Sequence, residues 1–64
     1  MKKEARIVTK EDDNHLYYSV EIKKTNGEWE LCEDYIIDDE LVSIVLIELL
    51  LSLLMQGYTI YDER

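Results

Sequence analysis

A chain of 64 residues with 15 acidic and 7 basic side chains carries a net charge of −8 with His15 neutral. That length supports a single domain, residues 1–64, with one small hydrophobic core, and the charge speaks against direct nucleic-acid binding, which needs cationic side chains opposite phosphates. One cysteine and no Cys/His cluster exclude an intrachain disulfide and a structural zinc site as staples for so small a fold.

The charge is also unevenly spread. Residues 25–64 hold ten acids and one base, Arg64, whereas residues 1–24 hold five acids and six bases, giving −9 and +1. The amino end, MKKEARIVTK, has early lysines, but Glu4 and Arg6 interrupt the place where the apolar region of a signal peptide would begin. It reads as a mature cytoplasmic start.

Ala5–Thr9 has the β-branched content of a short strand, and the following KEDDN suits a turn because Asp and Asn side chains can bond their own backbone. In His15–Lys24, Leu16, Tyr18, Val20 and Ile22 alternate with Tyr17, Ser19, Glu21 and Lys23, the period of a strand covered on one face. Asn26-Gly27 follows, a pair able to take the positive φ values of a tight hairpin. Glu28–Tyr35 resumes with Trp29, Leu31, Glu33 and Tyr35 on one face and Glu28, Glu30, Cys32 and Asp34 on the other. Glu33 breaks that apolar row, so a bulge or a departure from the core is expected after Leu31.

Asp38 is a candidate N-cap, with Asp39 and Glu40 in the first turn of a helix that runs through Leu41–Gln56 without Gly or Pro and stops at Gly57. Tyr58–Tyr61 then reads as a short final strand returning to a sheet edge. The expected fold class is α+β: a small antiparallel sheet in β-β-β-α-β order, first and last strands short, packed on one long apolar helix. The apolar run Leu41–Met55 would reach about 22 Å, short of a hydrocarbon core of about 30 Å, and Glu48 sits in its middle, so no membrane span is expected.

Helix periodicity carries the strongest statement about assembly. At about 100° per residue, Glu48, Ser52 and Gln56 share one narrow stripe, and most of the remaining arc is apolar, with Ser43 its only polar residue. That arc is roughly twice what a helix on one side of a sheet needs. The surplus predicts a homodimer, with Leu46, Ile47, Leu50, Leu51 and Leu54 as candidate interface residues. The bland alternative is a monomer in which Tyr17, Tyr18, Trp29, Tyr35, Tyr58 and Tyr61 wrap the helix.

Chemistry is sparse. His15 has Asp12 and Asp13 nearby but no nucleophile or metal pattern, and Cys32 is surrounded by acids that disfavour its thiolate, which suits a buried structural thiol better than a reactive one. Asp38, Asp39 and Glu40 lack calcium-loop spacing, and there is no glycine-rich phosphate loop, so neither catalysis nor a metal or cofactor is expected. The stretch Glu28–Glu40, EWELCEDYIIDDE, has seven carboxylates and no base. Glu28, Trp29, Glu30, Glu33, Asp34, Tyr35, Asp38 and Asp39 are its candidate partner-binding residues, combining charge with aromatic anchors for a basic protein surface. The expected function is therefore a small acidic homodimeric protein-binding or regulatory module. In composition alone the chain broadly resembles small phage-encoded or accessory inhibitors of nucleic-acid enzymes, which implies, as an alternative, a nucleic-acid mimic. A structural subunit of a larger assembly is a third reading.

Overall fold

A computed structural model describes residues 2–37 and 40–64. Four strands and one helix follow in the order β1 (Glu4–Asp12), β2 (His15–Lys23), β3 (Trp29–Ile36), α1 (Val42–Met55) and β4 (Thr59–Asp62). The sheet order is β3-β2-β1-β4. The α+β class is as expected, but the sheet is mixed: β1, β2 and β3 are antiparallel, whereas β4 runs parallel to β1. The reason lies in the connection. β3 and β4 point the same way at opposite edges, so α1 must carry the chain back across the two central strands before β4 can pair.

The first strand is nine residues long rather than short, because Lys10, Glu11 and Asp12 pair with Tyr17, Leu16 and His15 instead of opening into a loop. The turn shrinks to Asp13 and Asn14, both at positive φ (47° and 66°), as in the primed two-residue turns whose twist matches a hairpin. Asn26-Gly27 has a different geometry from the tight pair expected there. Gly27 alone is at positive φ, its N–H donates to the Lys24 carbonyl at 2.9 Å, and the Asn26 side chain accepts from the Glu28 N–H at 2.9 Å. This is a longer loop closed by one left-handed glycine and an Asx turn.

The register of β3 against β2 shifts between Val20 and Glu21, leaving Cys32 as the extra residue. A bulge reverses the side-chain alternation on its far side. Glu33 and Tyr35, opposite Val20 and Tyr18, share the helix-covered face, whereas Leu31 and Trp29, opposite Glu21 and Lys23, lie on the other face. The single apolar face expected for Trp29, Leu31, Glu33 and Tyr35 is thereby split, at the place where the intruding Glu33 pointed.

Helix α1 begins after Leu41, so its N-cap falls three residues later than the expected Asp38, and among the described residues its first turn holds no acidic side chain and no side-chain cap. The expected cap residues Asp38 and Asp39 lie outside the described residues. Gly57 ends the helix as expected: it sits at φ 92°, its N–H donating to the Leu54 carbonyl while the Tyr58 N–H donates to that of Leu53. Ala5, Ile7 and Val20 from the central strands meet Leu46 and Leu53 from the helix as the buried core, with Tyr18, Ile22, Tyr35, Leu49, Leu50, Tyr58 and Ile60 packed around it. Five buried apolar side chains among the described residues are a thin core for a chain of 64. No helix among the described residues is long and apolar enough to cross a membrane.

Candidate interaction surfaces

Two surfaces carry what the site residues can do, and the fold assigns them to opposite sides of the sheet. On the helix side, α1 uses only part of its apolar arc. Val42, Leu46, Leu49, Leu50 and Leu53 turn towards the sheet, while Ile44, Ile47, Leu51, Leu54 and Met55 turn away, each more than half exposed and Met55 at 89%. Two of the five residues expected at a dimer interface are thus corrected: Leu46, 4% exposed, belongs to this chain's own core, and Leu50 packs against it. Ile47, Leu51 and Leu54 remain accessible. Ile44 and Met55 complete the stripe, and the signal that could have found them is helical spacing, Met55 lying four residues after Leu51 and Ile44 opening the series. Ile44, Ile47, Leu51 and Leu54 are three, four and three residues apart, the seam by which helices pack on helices. The stripe is bordered by exposed Glu48 and Ser52, and Gln56 Nε2 donates to Ser52 Oγ at 3.2 Å.

The aromatic residues do not wrap this stripe. Tyr18, Tyr35 and Tyr58 pack against the core, whereas Tyr17, Trp29 and Tyr61 occupy the uncovered face of the sheet, opposite Ile36, Lys23 and Arg6. That face is organised by Glu21, only 7% exposed although no helix covers it. Arg6 Nε donates to Glu21 Oε1 at 2.7 Å and Lys10 Nζ to Oε2 at 3.0 Å. Burial pushes the Glu21 carboxyl up, but the hydrogen bonds and charges of Arg6 and Lys10 outweigh it and hold the group below its ordinary value. Beside it, Ser19, fully buried, donates its hydroxyl to Asp34.

The acidic segment does not form one patch. Glu30, Glu33 and Tyr35 share the helix side of β3, whereas Trp29 and Asp34 share the uncovered side, Trp29 between Arg6 and Lys23 and Asp34 held by Ser19. Glu28 precedes the strand and Asp38 and Asp39 are outside the described residues. Glu28, Glu30 and Glu33 are exposed along an outer edge strand and pair with no base among the described residues. Such charges also keep an edge strand from pairing with its own copies.

Cys32 is exposed at the bulge rather than buried, correcting the structural-thiol expectation; local burial and the Glu33 charge push its thiol up, away from the reactive thiolate. His15 is exposed and makes an edge contact with Tyr17 at 6.4 Å between ring centres. Comparison with protein-family models, curated proteins and solved structures finds no match to this chain.

Proposed function

We propose that this chain is an acidic, homodimeric protein-binding module without catalytic activity, in which α1 joins two copies and the β3 edge meets a basic partner. The observation that carries the reading is the outward stripe Ile44, Ile47, Leu51, Leu54 and Met55. A continuous apolar patch of a few hundred square ångströms is at the limit of what a soluble monomer exposes, and a second copy is the occupant that fits best. The seam contains no charge, so two chains of −8 can approach along it without placing acids face to face at its centre. Helix-seam spacing is self-complementary under a twofold axis, and the thin core of one chain gains most from permanent cover.

For the partner, the unpaired Glu28, Glu30 and Glu33 support electrostatic attraction to a basic protein surface. Their distribution favours this general reading over the nucleic-acid mimic, because a mimic needs its charges on one groove-filling surface and the acids of β3 divide between two faces.

Light scattering over a low to high micromolar range tests the assembly: about twice the 7.6 kDa chain mass is expected, and a single chain's mass throughout overturns it. Affinity capture tests the partner. Reversing Glu28, Glu30 and Glu33 to Lys should abolish capture while leaving the dimer intact; capture that survives reversal overturns the role of the edge.

A further inference from the structure

The fold redistributes charge in a way the chain order conceals. Antiparallel pairing of Ala5 with Ile22 brings the residues before β1 beside those ending β2, so Lys2, Lys3, Lys23 and Lys24 gather at one pole of the sheet. Glu11, Asp12 and Asp13 gather at the opposite pole, around the β1–β2 turn. Four of the seven basic side chains of an acidic protein therefore line one cleft, of about 610 Å³. Its other lining includes Ile22, Tyr58 and Thr25, with Glu4 and Glu30 as its acids.

The lysines are not equally occupied. Lys3 Nζ donates to the Gln56 carbonyl at 3.1 Å and lies 5.6 Å from the centre of the Tyr58 ring. Lys23 Nζ is 3.4 Å from Glu4 Oε2 and lies over Trp29. The ammonium groups of Lys2 and Lys24 have no ion-pair or hydrogen-bond partner among the described residues. Lys23 neutralises Glu4 and Glu30 offsets one further charge, so four lysines against two carboxylates leave the cleft a surplus of two positive charges, with the unpaired Lys2 and Lys24 lining it beside Ile22 and Tyr58.

We propose that this cleft binds a small phosphorylated molecule, its phosphate between Lys2 and Lys24 and its apolar part against Ile22 and Tyr58. Lysine is suited to phosphate as a mobile point charge, and an anion with two or more charges gains from both free ammonium groups at once. The overall −8 does not defeat this attraction. The molecule is 37 Å long, and charges separated by more than a Debye length of about 8 Å at physiological salt are largely screened, so Glu11, Asp12 and Asp13 at the far pole contribute little at the cleft, where four lysines outnumber Glu4 and Glu30.

Backbone-amide NMR titrations with inorganic pyrophosphate and with phenyl phosphate test the site, using the full chain. Saturable shifts centred on Lys2, Lys3, Lys24, Thr25 and Tyr58 are expected with both. The double variant Lys2→Gln/Lys24→Gln should weaken pyrophosphate about tenfold, whereas Lys10→Gln should not. Neither Lys2 nor Lys24 packs in the core, and an unchanged amide spectrum of the free double variant verifies its fold. Absence of saturable shifts with either probe up to about 10 mM, or equal weakening by Lys10→Gln, overturns the site. Neither result bears on the proposed dimer, and because Glu30 lines the cleft as well as the β3 edge, the Lys2→Gln/Lys24→Gln variant, which leaves Glu30 in place, keeps this test separate from the charge reversal of that edge.

Discussion

The Arg6 guanidinium lies over the Trp29 ring, 4.3 Å from its centre, on the face of the sheet turned away from α1. The contact exists because the bulge at Cys32 turns Trp29 out of the helix-covered layer, and it closes one side of the Arg6–Glu21 pair against water.

Trp29→Ala should therefore destabilise the protein by about 2 kcal/mol, from lost packing and the lost cation–ring contact together. Denaturant unfolding followed by far-ultraviolet circular dichroism measures this. Leu31→Ala, on the same face but half exposed, should cost less than about 1 kcal/mol; an equal loss for both would deny Trp29 its covering role.

Glu21 ties acid stability to the same face. Its folded pKa lies below its ordinary 4.5, so its contribution is fully present above that value and is lost as pH falls below it through the folded pKa. Glu21→Gln should remove about 2 kcal/mol near neutrality by leaving Arg6 and Lys10 without their shared carboxylate, and should make stability less steep as pH falls below 4.5. Stability curves of both proteins against pH check the sign.

At the carboxyl end, Arg64 pairs with Asp62 at 2.8 Å, and its side-chain hydrogen bonds hold the carboxyl at about 2, below the ordinary 3.8. Arg64→Ala should return Asp62 to near 3.8 in an NMR titration, and salt should shrink the wild-type shift because the pair is exposed.

Leu46, buried, and Leu51, exposed, separate the core from the proposed dimer face. Leu46→Ala should cost about 2–5 kcal/mol, since it opens a cavity in the chain's own core. Leu51→Glu should leave a folded single chain, or one whose unfolding no longer depends on protein concentration. Sedimentation and thermal unfolding at two concentrations distinguish them; a dimer that survives Leu51→Glu would place the contact elsewhere.

Gly57→Ala tests the helix stop. At φ 92° the added methyl has open space around it, so the cost is that of the backbone alone, about 1 kcal/mol. A thermal melt with a second glycine variant, Gly27→Ala, at φ 89° and equally open, should show a similar loss.

The sequence by itself determined the elements whose cause is local. Alternation of Leu16, Tyr18, Val20 and Ile22 made β2; an unbroken apolar run ending in Gly57 made α1; and its excess apolar arc announced a surface one sheet could not cover. Glu33 marked the bulge in β3, because a carboxylate in an apolar row has to be turned or exposed. What tertiary structure alone decided depends on pairing between distant segments. Register with Leu16 and Tyr17 lengthened β1 and moved the tight turn to Asp13-Asn14, and the crossover of α1 made β4 parallel. Periodicity shows how wide an apolar arc is but not which part meets the sheet, so Leu46 and Leu50 went inward while Ile44 and Met55 stayed outside. The same pairing turned a chain lopsided from start to end into a molecule with a lysine pole and an acidic pole, because a hairpin brings its two ends together.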